Sequence, residues 1–173
     1  MKKVITICFL VVTLLAGGMT MDAKTTKKKS SKARTTSTQK SSKPSGALAL
    51  VNIQNGGKLY LMNNGIVKVT PSSWDSDGNY VKSNGAYIMS WGSGSYGDNK
   101  ISVIYGNIMY TVITSFYDYS EFWDYYSDHG GNLAAAASFD ANSQTVILNT
   151  TNGSKRIKLS SVSSDNRRSV TWY

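Results

Sequence analysis

Residues 100–116 read KISVIYGNIMYTVITSF, and the fold follows from how this stretch pairs with itself. It is dense in β-branched and aromatic side chains, with Gly106-Asn107 in the middle. Glycine suits the first position of a two-residue type II′ loop, where φ is positive. That loop predicts the pairs Tyr105–Ile108, Val103–Tyr110 and Ile101–Val112 on one wholly apolar face. The other face, with Ile104/Met109, Ser102/Thr111 and Lys100/Ile113, is mixed. Such a hairpin belongs at the centre of an antiparallel sheet.

Working outward, the same rhythm recurs. Ala47 to Ile53 reads as a first strand. Lys58–Met62 and Ile66–Thr70 flank Asn64-Gly65, a loop that predicts Tyr60/Val69 and Met62/Val67 on one face. Pro71 ends that strand. Asn79–Lys82 and Ala86–Trp91 flank Asn84-Gly85. Beyond residue 116, Asp118 to His129 is the one expected helix. Asp118 is placed to cap it, Glu121 follows three residues later, and Gly130-Gly131 stops it. Tyr119, Phe122, Trp123 and Tyr126 form one stripe at helical spacing, read as packing against the sheet. Leu133 to Phe139 is short enough for a strand despite its four alanines. Thr145–Thr150 and Ser154–Leu159 form a hairpin on Asn152-Gly153, with Val146/Leu159 and Leu148/Ile157 facing in. Arg168 to Tyr173 is a last strand with Val170 and Trp172 on one face. The expected fold is mainly β: a single antiparallel sandwich or partly closed barrel of about eight to ten short strands with one short helix near 118–129.

The net charge of +9 is not spread over this domain. Residues 1–46 hold ten Lys or Arg and one acid, Asp22, whereas residues 47–173 hold nine of each sign and are neutral. Nucleic acid is therefore not an expected partner of the fold. Met1-Lys2-Lys3, the apolar run Val4–Leu15 and the small residues after it have the layout of a secretory signal peptide over 1–23, with cleavage after Gly18 or after Ala23. The apolar core is short for a permanent span. The single cysteine, Cys8, lies in that leader, so the mature chain has no thiol chemistry. Residues 24–46 comprise six Ser, five Thr, eight Lys/Arg and four others. This composition cannot bury enough apolar surface to order itself and reads as a disordered basic tether, roughly 25–30 Å across as a coil. It is either a plain spacer or a contact to an anionic envelope surface through Lys27, Lys28, Lys29, Lys32 and Arg34. Leader and tether together suggest a bacterium and a secreted or periplasmic, envelope-facing protein.

The catalytic inventory is thin. His129 is the only histidine and Glu121 the only glutamate. A serine nucleophile needs a base, and glycoside hydrolysis needs two flanking carboxylates. No His/Cys cluster offers a zinc site. Asp75, Asp77 and Asn79 resemble the opening of a calcium loop but lack the glutamate that closes one, so turn chemistry is the expected reading. No cofactor is implied. Residues 71–99 mix Tyr and Trp with Ser, Gly and Asn, the composition of adaptable binding surfaces. Trp74, Tyr80, Trp91 and Tyr96 are the candidates for an exposed patch that binds glycan or a cell-surface protein. The competing reading puts Trp91 and Tyr87 in the core. The expectation is a non-enzymatic binding or adhesion module. A periplasmic inhibitor or accessory protein is the alternative, and a small hydrolase is less favoured.

Overall fold

A computed structural model describes residues 43–72, 76–92 and 99–173. Contacts divide the chain at Lys40/Ser41, and the described residues all lie in the second unit. The expected leader over 1–23 and Lys27, Lys28, Lys29, Lys32 and Arg34 lie outside the described residues.

The strands are β1 (Ala47–Asn52), β2 (Lys58–Met62), β3 (Ile66–Thr70), β4 (Gly78–Ser83), β5 (Ala86–Trp91), β6 (Lys100–Tyr105), β7 (Ile108–Ile113), β8 (Ala137–Asp140), β9 (Thr145–Thr150), β10 (Gly153–Lys158) and β11 (Arg167–Trp172). Two helices, α1 (Ser120–Asp128) and α2 (Leu133–Ala136), lie between β7 and β8. Of the two expected architectures the barrel is the one formed. It closes in the order β1-β11-β7-β6-β5-β4-β3-β2, and β10-β9-β8 form a separate three-stranded sheet. β1 to β7 are a meander. The chain then leaves the barrel and returns as β11, which pairs antiparallel with both β7 and β1 and seals the wall.

The central hairpin forms as its turn residues dictate. Gly106 has φ 61, and Tyr105 pairs with Ile108 and Val103 with Tyr110. A bulge then shifts the register, so Ile101 pairs with Ile113 rather than Val112. Asn84 and Gly85, at φ 46 and 82, make the two-residue loop between β4 and β5. Two other registers differ from the expectation. In β2–β3 the connection takes three residues, with Gly65 at φ 85, so Leu59 pairs with Val69 and Leu61 with Val67. That one-residue slip puts Leu59 and Leu61, not Tyr60 and Met62, on the side of Val67 and Val69. In β9–β10 the slip is two residues, with Val146 opposite Ile157 and Leu148 opposite Lys155. Each strand keeps its faces, and Val146 and Leu148 are fully buried.

The strands divide two cores between them. Inside the barrel lie Val51, Leu59, Leu61, Val67, Val69, Met89, Trp91, Ile104, Met109 and Val170. Against the outside of its wall, Ile88, Ile101 and Val103 meet Phe122 and Tyr126 of α1 and Phe139, Val146 and Leu148 of the small sheet. β5 and β6 are therefore buried on both faces. The mixed face of β6 looks into the barrel, and its apolar face is covered by the excursion between β7 and β11. Asn84 Nδ2 donates to Phe139 O at 2.6 Å and Phe139 N to Ser83 Oγ at 3.0 Å, which pins that excursion to the β4–β5 loop.

The helical segment is also built differently from the expectation. Asp118 does not cap it. Ser115 Oγ accepts from Tyr117 N at 3.2 Å and opens a 3₁₀ turn, Phe116–Tyr119, before α1 begins. The stop is as expected: Gly130 and Gly131 adopt φ 64 and 71, and their N–H groups return to Ser127 O and Tyr126 O. Leu133 to Ala136 is helix rather than strand. Asn132 Oδ1 accepts from Ala134 N and Ala135 N at 3.1 and 3.4 Å, and a capped alanine run takes the conformation alanine prefers. Among the described residues no helix is long and apolar enough to cross a membrane.

Candidate functional site at the barrel mouth

Alternation along the strands decides what faces the lumen. On β5 the inward residues are Tyr87, Met89 and Trp91, and on β11 they are Arg168, Val170 and Trp172. These two strands run from one end of the barrel to the other, so each end receives its own set. At the end where β1, β3, β5 and β7 finish, the lumen opens into a cavity of about 760 Å³. Val69, Trp91 and Met109 line it from the wall. Lys100, Thr111 and Arg168 reach it from β6, β7 and β11, and Gln54, Asn55, Asp165 and Asn166 come from the flanking loops.

Trp91 is held there by a buried polar chain. Its Nε1 donates to Ser102 Oγ at 2.9 Å, and Ser102 Oγ lies 3.0 Å from Thr111 Oγ1. Ser102 is fully buried. The indole N–H is thus satisfied inside the barrel, and the ring is fixed in orientation. The Lys100 ammonium sits 5.5 Å from the Trp91 ring centroid. Arg168 Nη1 donates to Arg167 O at 2.7 Å, and Arg168 pairs across the wall with Met109. Lys100 and Arg168 against Asp165 leave this lining with one excess positive charge.

Three partly exposed rings cluster toward the opposite end. Tyr80 stands edge-on to Tyr87 at 5.5 Å, and Tyr87 lies 5.5 Å from Trp172. Tyr80 Oη donates to Met62 O at 2.7 Å and Trp172 Nε1 to Gly106 O at 3.1 Å.

The four aromatic candidates therefore do not share one described surface. Trp91 is buried in the mouth wall, Tyr80 is half-buried at the far end, and Trp74 and Tyr96 lie outside the described residues. Asp77 is engaged in the turn before β4, where its Oδ1 accepts from Val69 N at 3.0 Å. Asn79 is exposed, and Asp75 lies outside the described residues. Among the described residues, no group of three or more His, Cys, Asp or Glu is placed to hold a metal ion. His129 is spent at the end of α1, with Nδ1 2.7 Å from Tyr125 O and its ring stacked on Tyr125 at 4.0 Å. Asp165, Met109, Thr111 and Arg168 are the site residues that sequence reasoning missed. Met109 and Thr111 reach Trp91 through the consecutive β5–β6–β7 pairings, whereas Arg168 and Asp165 are brought there only when β11 closes the barrel.

Neither a family model nor a curated protein nor a solved structure matches the chain. The site geometry alone carries the functional reading.

Proposed function

We propose that the protein is a non-catalytic binding module of the cell envelope or its exterior, that the barrel mouth is its ligand site, and that the ligand is a glycan. The observation that carries this is the 760 Å³ cavity with the indole of Trp91 in its wall. Small-molecule sites fall at roughly 300–1,000 Å³, and the mouths of barrels are a preferred place for them. An eight-stranded barrel is just wide enough to admit one small ligand. The lining suits a sugar chain, which presents apolar C–H faces beside hydroxyls. Ile53 and Pro71 supply accessible apolar surface with the buried Trp91 behind them, and Thr111, Asn55, Asn166 and Asp165 supply hydroxyl, amide and carboxylate partners. The secretory leader and the lysine-rich tether support an extracytoplasmic site of action, with the tether resting on an anionic envelope surface.

A glycan array probed with the purified protein tests this reading. The expected result is retention of a defined set of glycans that is lost in Arg168→Ala while the melting temperature stays within a few degrees. An array with no retained glycan, or equal retention by Arg168→Ala, refutes it. A protein captured in an Arg168-dependent manner in place of any glycan moves the assignment to an inhibitor or accessory role.

A further inference from the structure

Outside the barrel wall, at the same end, lies a second and smaller hollow of about 270 Å³. Asp77 and Asn79 border it from the start of β4, Ser90 from β5 and Asn99 from the approach to β6. Trp123 and Tyr126 of α1 form its other side. Trp91 is common to this hollow and to the mouth, so the wall carrying it separates the two.

We propose that this hollow is a saccharide subsite that takes a single pyranose ring, with Trp123 as the stacking plane and Asn79, Asn99 and Asp77 as hydroxyl partners. Three observations carry it. Trp123 stacks on Phe116 with ring centroids 4.6 Å apart and an interplanar angle of 28°, yet remains 36% exposed. Its ring is thus packed against Phe116 and beside Tyr126 while part of it stays open to solvent, in a helix whose neighbouring aromatics Phe122 and Tyr126 are buried. The polar groups beside it are of the types that hold sugar hydroxyls. A primary amide offers donor and acceptor together, as a hydroxyl does, and a carboxylate accepts from two hydroxyls. The Asp77 carboxylate is already oriented by the Val69 N–H on its Oδ1. Finally, the volume lies just below the range of drug-sized sites, which suits one ring rather than a folded peptide.

The subsite stands whether or not the mouth binds, and the test separates the two. Four tryptophans give four indole N–H resonances. The protein is titrated with methyl glycosides of glucose, galactose, mannose and N-acetylglucosamine, and the indole signals are assigned by substitution. The expected result is a saturable shift of the Trp123 resonance with at least one of these sugars. Asn79→Ala, an exposed change, should weaken binding about tenfold, the equivalent of one lost hydrogen bond. Arg168→Ala, in the mouth, should leave the Trp123 titration unchanged. No saturable Trp123 shift with any sugar overturns the proposal. So does a Trp123 shift unaffected by Asn79→Ala, or one abolished by Arg168→Ala.

Discussion

A methyl group on Gly78 has nowhere to go. An alanine Cβ there would sit 1.8 Å from Ser90 O and 2.8 Å from both Ser90 C and Trp91 Cα. Carbon and carbonyl oxygen approach comfortably only to about 3.3 Å, so one must retreat by roughly 1.5 Å. Every atom involved is main chain, so no side-chain rotation relieves the clash. The retreat has to come from the β4–β5 rung at Asn79–Ser90 or the β3–β4 rung at Val67–Gly78. Overpacking costs about 1–3 kcal/mol, and one or two weakened ladder bonds add about 1 kcal/mol each. Reduced entropy of the unfolded chain returns about 0.4–1 kcal/mol. The expected net loss for Gly78→Ala is about 3 kcal/mol, or a melting temperature about 10 °C lower. Gly85→Ala is the control. Gly85 has φ +82 and open space within 4 Å, so alanine there meets only the left-handed backbone penalty, about 1 kcal/mol. Urea unfolding followed by tryptophan fluorescence, with calorimetry beside it, measures both. The steric argument fails if Gly78→Ala lies within about 0.5 kcal/mol of the parent, or if it costs less than Gly85→Ala.

Three further outcomes follow from single polar side chains. Ser102→Ala strips the Trp91 N–H of its acceptor in a fully buried setting and should cost about 2 kcal/mol by urea unfolding; a neutral result would mean the indole finds another partner. Asn132→Ala removes the side-chain acceptor of two N–H groups at the start of α2 and should lower stability by about 1 kcal/mol, with the loss confined in hydrogen exchange to residues 133–136. The Ser143 hydroxyl and backbone N–H, with Asn142 N–H and the Arg156 guanidinium, hold the Asp140 carboxyl below its ordinary value. A carboxylate whose pKa is depressed by folding contributes stability above the unfolded value and loses it as pH falls through the folded one. Asp140→Asn should therefore melt below the parent at pH 7, and the gap should close as the pH drops below about 4; a gap constant from pH 7 to pH 2 would refute the linkage.

What could be read locally was set by residues with unusual backbone freedom. Asn84-Gly85 and Gly106-Asn107 are two-residue loops, and the strand pairs beside them form in the register these loops dictate. Asn64-Gly65 looked identical, but Asn63 joins that turn, and one extra residue exchanges the faces of β2. The register error at Asn152-Gly153 was twice as large and harmless to the inward-facing set, because a shift of two preserves alternation. Closure was not readable. It depends on Val51 meeting Val170 and Ile108 meeting Ser169, the first pair separated by most of the domain and the second by about half of it, and neither marked by a local pattern. The candidate site inherited that limit. Trp91 stood out as an aromatic in a polar region, but its inward aim depends on its β5 alternation, and its neighbours Met109 and Arg168 arrive only through β7 and β11.

The seal made by β11 has a consequence for how the protein must be produced. Before residues 167–172 dock, β1 and β7 each present a row of unsatisfied amides and carbonyls along a hydrophobic wall, the condition under which strands from separate molecules join. The meander is synthesised early, while its closing piece waits for the intervening helices and small sheet. A molecule truncated within this last strand would be expected to aggregate rather than persist as a looser version of the same barrel, and a holding chaperone would be needed for the interval in which the edges stand bare.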